Sequence, residues 1–365
     1  MDMTFNPNTD PSIEALNFVQ CPTCDAQLDV GDFEAFSEIE CPACNSILTV
    51  PGRYEEFLLL HVLGHGATGT VYRARDEQLA RDVALKVIRP ECMNGPGVVE
   101  AALNEAKVMA RLNHENICKF YSSGVLDGRP YYVMELLTGK RLEEPIQNGK
   151  RYSEIRALEI AHDVANGLWS AEKAGLLHGD LKLSNILTDD EGSAKVVGFR
   201  MGVFQANGEE AELWNNPYYI SPEKARKERG DARSDQYSLG AVLFHLMSGH
   251  APFEEANPAK TVLATLEEET PSLKIQNRRI TKFTSDMVMK MMAKSPNQRY
   301  EDYVSLIEDI EQALLGAQQA RNQRSGSLRN STQRIAEQPG PTQTTVRRRG
   351  PSPTSAVINR SALQS

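Results

Sequence analysis

The sequence predicts an α+β fold in which a β-rich lobe is followed by an α-rich lobe, behind a small metal-stapled module. Three observations carry this. Between 57 and 137 apolar residues alternate with period two in short runs broken by glycine-containing turns. From 153 to 294 they recur at the three- and four-residue spacing of long helices. Ahead of both, four cysteines fall into two close pairs.

At 365 residues the chain has room for one large domain and a smaller companion, and 40% hydrophobic against 24% charged residues is the balance of a chain able to bury a sizeable core. The net charge of −9 is uneven. From 316 onward the only acid is Glu337, against Arg321, Arg324, Arg329, Arg334, Arg347, Arg348, Arg349 and Arg360, so the body is strongly acidic and the tail basic. An acidic body argues against a nucleic-acid-binding core, although such a tail could touch acidic surfaces. No run approaches the roughly 18 apolar residues of a membrane span, and the polar start is unlike a signal peptide. A cytoplasmic protein without a membrane partner is expected.

Residues 1–17 lack apolar periodicity and read as a flexible N-terminus; 18–52 form a loop-rich module. Strand patterns follow at 57–62, 70–74 and 82–88, a helical one at 98–112, and strands again at 119–124 and 130–137. One helix is thus set among five strands. Beyond Gly139 the helical patterns 153–175, 234–248 and 283–294 dominate, with short strands around Leu187 and Val196. From 316 to 365 the chain is rich in Gln, Ser, Thr, Arg and Pro, too polar to offset its ordering entropy, and reads as disordered. No internal repeat of fixed period stands out.

Cys21-Pro-Thr-Cys24 and Cys41-Pro-Ala-Cys44 have the spacing of a tetrahedral zinc site. A two-residue gap lets both thiolates of a pair reach one ion, and four thiolates leave no position for water or substrate, so the zinc would be structural. The alternatives are a redox dithiol and cysteines that only pack. A segment this short cannot sustain a core unaided, and metal would supply folding free energy on the order of 10 kcal/mol. It resembles a zinc ribbon. With Asp25, Asp29, Asp32, Glu34, Glu38 and Glu40 but no basic residue between Cys21 and Cys44, it is poorly suited to nucleic acid.

Gly64-His65-Gly66-Ala67-Thr68-Gly69-Thr70-Val71 lies between two predicted strands, where glycines let backbone N–H groups approach phosphates. It has neither the following helix of a dinucleotide fold nor the Gly-Lys-Ser/Thr of a Walker loop. Val83-Ala84-Leu85-Lys86 on the next strand but one and Glu105 on the predicted helix sharpen the reading, since a lysine on phosphates needs a carboxylate to fix its ammonium. Alone, Lys86 would read as a surface lysine and Glu105 as a solvated carboxylate; together they set that reading aside.

Here the sequence resembles the protein kinases, of the eukaryotic-like serine/threonine type also found in bacteria. The resemblance continues through Asn113-His114-Glu115-Asn116-Ile117 and Val133-Met134-Glu135-Leu136 and covers nearly all of 54–315. It implies a two-lobed kinase fold over 53–315, with an N-lobe at 53–138 and a C-lobe at 139–315. It also implies that Glu135 and Leu136 offer backbone groups to the adenine of ATP behind Met134, with Val71, Ala84 and Leu187 enclosing the ring.

His178-Gly179-Asp180-Leu181-Lys182-Leu183-Ser184-Asn185 matches the family's catalytic loop except at Gly179, where the family has the arginine that pairs with a phosphorylated activation segment. By that resemblance Asp180 accepts the substrate hydroxyl's proton, Lys182 steadies the γ-phosphate and Asn185 binds magnesium. Where the family has Asp-Phe-Gly, this chain has Gly198-Phe199-Arg200, so the metal-binding carboxylate is lost while Phe199 keeps its packing role beside Met109, Phe120 and His178. Asp189 and Asp190 read as turn residues rather than substitutes. Asn216 replaces the threonine that ties the activation segment to the catalytic aspartate. The scaffold motifs Ser221-Pro222-Glu223, Ser234-Asp235-Gln236-Tyr237-Ser238-Leu239-Gly240 and Arg299, the expected partner of Glu223, are kept. Two readings follow: an ATP-binding pseudokinase or very weak kinase serving as a signalling scaffold, with weakened magnesium binding, or an active serine/threonine kinase with Asp180 as base. The protein substrate or signalling partner is not given by the sequence.

Overall fold

In the computed structural model the described residues are 10, 12–66, 68–93, 95, 97–199 and 217–336, with side chains described as far as 324. Strand β1 (Glu14–Ala15) comes first, then two small hairpins, β2 (Phe18–Gln20) with β3 (Gln27–Asp29) and β4 (Glu38–Glu40) with β5 (Ile47–Thr49). The hairpin tips fold alike. Cys21 N–H donates to the Ala26 carbonyl and Asp25 N–H to that of Cys21, each at 2.9 Å. Cys41 N–H donates to Ser46 at 2.9 Å and Asn45 N–H to Cys41 at 2.8 Å. Asp25 and Asn45 occupy the left-handed region at φ 58° and 57°, which Asp and Asn tolerate better than other side chains. The unit is therefore a duplication, from 21 and again from 41, that the sequence reading passed over: apart from the cysteines, only Pro, Leu and Val recur in register. Buried Leu28, Val30, Leu48 and Val50 pack with Cys21 and Cys41 into its small core.

The larger sheet is antiparallel and runs in the order β1, β6 (Gly52–Tyr54), β7 (Phe57–His65), β8 (Gly69–Asp76), β9 (Arg81–Ile88), β11 (Arg129–Glu135), β10 (Phe120–Leu126). The reading of 1–17 as flexible fails from residue 10 on. Glu14 and Ala15 pair with Arg53 and Gly52. Asp10 forms a buried ion pair with Arg129 at 2.7 Å, and Ile13 and Phe36 pack onto the sheet's core, Phe36 stacking on Tyr72 at 5.5 Å. A Cβ at Gly52 would lie 2.4 Å from Ile13, so glycine is what lets the N-terminal strand lie flat there. The expected boundary at 52/53 is a shared strand rather than a linker, because β6 pairs with β1 on one side and β7 on the other.

Helix α1 (Val98–Met109) is the single helix set among the five strands β7 to β11, as its spacing predicts. The second lobe follows: β12 (Lys140–Arg141), α2 (Glu143–Gln147), α3 (Glu154–Lys173), the hairpin β13 (Ile186–Thr188) and β14 (Ala194–Val196), then α4 (Pro222–Ala225) and α5 (Ala232–Ser248). It ends in α6 (Pro258–Glu267), α7 (Leu273–Gln276), α8 (Lys282–Met291) and α9 (Tyr303–Ala336). Ser153, Asp231, Asn257 and Thr281 cap α3, α5, α6 and α8 by accepting a backbone N–H, a net gain of about 1 kcal/mol each. Helix α5 is buried around almost its whole circumference, which makes it the lobe's central post. Helix α9 carries past the expected end at 315 to Ala336. Its nucleus is set by buried Tyr303, Leu306, Ile310, Ala313 and Ala317, and the Ala, Gln and Arg beyond are good propagators. Residues 337–365 of the expected tail lie outside the described residues.

Candidate active site

The glycine-rich turn arises from the close approach of two strands. A Cβ at Gly69 would lie 2.2 Å from the Val87 carbonyl oxygen, so a side chain there would break the β8–β9 ladder. Gly66 N–H closes the turn by donating to the Gly69 carbonyl at 2.8 Å. At Gly64 and Gly66 a Cβ would meet nothing nearer than 3.6 Å, so packing does not demand glycine there and the turn keeps an open face. Ala67 lies outside the described residues.

Strand register gathers the predicted nucleotide contacts: Val71 stands opposite Lys86, and Ala84 opposite Met134. Leu187 is buried on β13. Glu135 is fixed from two sides, its N–H donating to the Lys119 carbonyl at 2.8 Å and its carboxylate pairing with Lys195 at 2.7 Å, while half-buried Leu136 follows it. Burial pushes the Lys86 ammonium below its ordinary range, with the charge of Asp180 among the forces pulling the other way. The Glu105 charge is felt at Tyr132, the residue opposite Lys86 on β11, whose phenol is raised by burial and by that charge.

The catalytic loop hangs from α5. The two Asp235 carboxylate oxygens accept the His178 N–H at 2.7 Å and the Gly179 N–H at 3.0 Å. Asp180, with a half-exposed side chain, pairs with Lys182 at 2.6 Å. Asn185 Nδ2 donates to the Asp180 carbonyl at 2.8 Å and to its carboxylate at 3.3 Å. The three predicted catalytic side chains are therefore together. Opposite them Gly198 holds φ +77°, and a Cβ there would point at Asn185, 3.1 Å from its Oδ1. A side chain at 198 would face Asn185, and none is present. Asp189 and Asp190 are exposed on the turn before β14, where Asp189 accepts the Ser193 N–H at 2.7 Å.

Phe199 packs on the His178 ring at 4.8 Å and on the cluster that includes Met109, while Met109 also touches the cluster holding Phe120. The expected contact of the four is thus realised as a column of side chains linking the lobes. Burial lowers the His178 imidazole, and His178 Nε2 lies 3.0 Å from the Val197 carbonyl, to which a neutral ring can donate. The segment 200–216, with Arg200, Asn215 and Asn216, lies outside the described residues. Beyond it, Arg299 donates to both Glu223 oxygens at 2.7 and 2.8 Å, and Ser234 donates to one of them. Burial alone would raise the Glu223 carboxyl; these donors outweigh it and hold it at about 2.

Residues 57–313 match the sequence model of the protein kinase domain. The chain belongs to the protein kinase family. Among its curated relatives are a probable serine/threonine-protein kinase of Clostridium perfringens, 33% identical over 71% of this chain and 38% of that protein, and serine/threonine-protein kinase PrkC of Bacillus subtilis, 33% identical over 73% of this chain and 41% of that protein. The kinase domain accounts for these matches, and the chain spans about two fifths of the length of those relatives. In fold it is similar to the solved kinase domain of PknI from Mycobacterium tuberculosis, at TM-score 0.59 and 21% identity over 72% of this chain and 97% of that one. No helix among the described residues is long and apolar enough to cross a membrane.

A second cluster lies in the duplicated unit ahead of the kinase domain. The sulfurs of Cys21, Cys24, Cys41 and Cys44 all lie within 4.8 Å of one another, with Cys21 to Cys44 and Cys24 to Cys41 each at 3.7 Å. Tetrahedral bonds of about 2.3 Å to one ion would set sulfurs about 3.8 Å apart, so the spacing fits zinc. The Ser46 hydroxyl lies 3.4 Å from the Cys21 sulfur and 3.0 Å from that of Cys44, and lowers both thiols, Cys21 to about 6.

Three side chains of the kinase site escaped the sequence reading. Arg141 donates to the Ser184 carbonyl at 2.6 Å from beside the glycine turn. Lys195 secures Glu135. Lys224 donates to the Gly179 carbonyl at 3.1 Å and sits 3.7 Å from Asp235, which puts a cation against the loop residue that lacks the family's arginine. None belongs to a local pattern; each partner is distant in sequence.

Proposed function

We propose that this kinase domain binds ATP and transfers its γ-phosphate weakly or not at all, serving as a nucleotide-responsive signalling scaffold. The observation that carries the reading is Gly198. A bound magnesium ion bridges the ATP phosphates and offsets their developing charge in family members. Here Asn185 is the one predicted protein ligand left to hold it, and loss of the other should cost several kcal/mol at the transition state, with tenfold in rate per 1.4 kcal/mol. Binding is supported separately by the open glycine turn, the half-buried Lys86 and the fixed Glu135 backbone. The four-cysteine cluster is read as a structural zinc site, since all four sulfurs are protein-supplied and no position is left for a reactant.

A second reading, an active serine/threonine kinase, is favoured by the Asp180–Lys182–Asn185 arrangement, which keeps a proton acceptor and a phosphate-facing cation in place. Radiolabel transfer from ATP to a generic protein acceptor decides between them, with magnesium present. Under the first reading Gly198→Asp raises transfer tenfold or more, somewhat short of full recovery because the new Cβ presses on Asn185. A gain of no more than a few fold, with wild-type transfer abolished by Asp180→Ala, establishes the second. A thermal-shift titration with ATP, with and without magnesium, tests binding on its own.

A further inference from the structure

Between the two hairpins of the N-terminal unit lies a groove of about 640 Å³. Its lining is apolar at Leu28, Phe33 and Ile39 and acidic at Asp29, Glu38 and Glu40. The lining comes from β3 and β4 together with Phe33 and Pro42 from the neighbouring loops, and no residue of β2 or β5 contributes. Among the described residues each small sheet has only two strands, so β3 and β4, like their partners β2 and β5, keep one edge without a strand partner, and the groove lies along these two. Such edges display unpaired N–H and C=O groups and template another strand, and proteins commonly guard them with lysine. Here the guard is wholly acidic: residues 1–52 contain no lysine or arginine. An edge guarded by acids repels a second acidic edge and admits a basic one.

We infer that this groove docks an extended basic segment of a partner protein, which adds as a strand to an open hairpin edge. Its arginine or lysine side chains reach Asp29, Glu38 and Glu40 on one face, and its alternate apolar side chains reach Leu28 and Ile39 on the other, as strand addition requires. Phe33, 45% exposed at the groove, supplies an aromatic face for a guanidinium. Nucleic acid is disfavoured, because its phosphates would face three carboxylates with no cation among them. The groove lies apart from the kinase site, so occupancy does not require phosphoryl transfer.

The test uses the full chain and fluorescein-labelled octapeptides in fluorescence anisotropy at low and moderate salt. One peptide alternates valine and arginine; a second replaces the valines by proline, which removes strand hydrogen-bond donors; a third replaces the arginines by glutamate. The first is expected to bind, with at least tenfold weaker binding for the proline peptide and none for the glutamate peptide. Glu38→Lys/Glu40→Lys should weaken the first peptide at least tenfold and Phe33→Ala several fold, while the charge-matched change Glu267→Lys/Glu269→Lys, at the exposed end of α6 and just beyond it, leaves it unaltered. No binding overturns the proposal. So does equal binding of the proline peptide, or an equal loss from the α6 variant, which would mark general charge attraction instead of a groove.

Discussion

The buried pair of Asp10 and Arg129 can be broken from one side. Asp10 accepts from Arg129 at 2.7 and 2.9 Å and from the Ser12 N–H and hydroxyl at 3.1 and 2.6 Å. Arg129 also donates through Nε to the Ile88 carbonyl at 3.0 Å, at the end of the strand that carries Lys86. The two side chains are 2% and 9% exposed, so Asp10→Ala leaves a buried guanidinium with only Ser12 and Ile88 as partners. Removing one member of a buried pair typically costs about 3–5 kcal/mol, most of it the penalty of the stranded charge. Because β1 makes a two-residue ladder, that loss should release the N-terminal strand before it unfolds the domain. Hydrogen exchange at Glu14 and Ala15 should then speed up about a hundredfold or more. The double variant Asp10→Ala/Arg129→Met should recover much of this protection, since no charge is left buried. Unchanged exchange in the single variant, or a double variant no better than the single, would refute the argument that this pair clamps the strand.

Two further outcomes follow from the same structure. One zinc per chain should be released by a chelator or by Cys24→Ser, with loss of exchange protection across β2 to β5 while the core of the second lobe keeps its own; metal content and exchange measured together check this. Glu223 sits at about 2 in the fold, below its ordinary 4.5. Its depressed folded pKa means that the stabilisation is complete above pH 4.5 and fades as pH falls toward 2, a contribution of about 3 kcal/mol. Denaturant titrations of the wild type and Glu223→Gln should therefore differ most near neutrality and converge in acid; a gap that stays constant with pH would contradict the assignment.

What could be read in advance divides by the range of the interaction. The cysteine pairs, the glycine turn and the 178–185 loop are local patterns, recognisable because their residue types recur within a few positions, even though their partners, such as Asp235 for His178 and Gly179, lie far along the chain. Asp10 stands in a polar stretch without periodicity, and its partner is 119 residues away, so nothing local distinguishes it from a solvated carboxylate. The two-residue β1 is too short to show alternation. Lys86 and Glu105 have the spacing that joins them in the family, yet spacing fixes only the strand and the helix that carry them.

The consequences of Gly198 also separate by range. Residue 198 keeps the left-handed backbone at φ +77°, and its neighbours are held by groups that never touch a side chain there: His178 through Asp235, Phe199 through the His178 ring, and Val197 through its N–H to the Asn185 carbonyl at 2.9 Å. Losing the carboxylate therefore removes a charge from the site without loosening the column that joins the lobes. A nucleotide bound against Lys86 and the glycine turn would act on the same β9 whose far end carries the Ile88 carbonyl bonded to Arg129. On the proposed reading, the clamp on the N-terminal strand and the nucleotide site share one strand, and ATP should slow exchange at β1 even in Asp180→Ala, where no phosphate can be transferred.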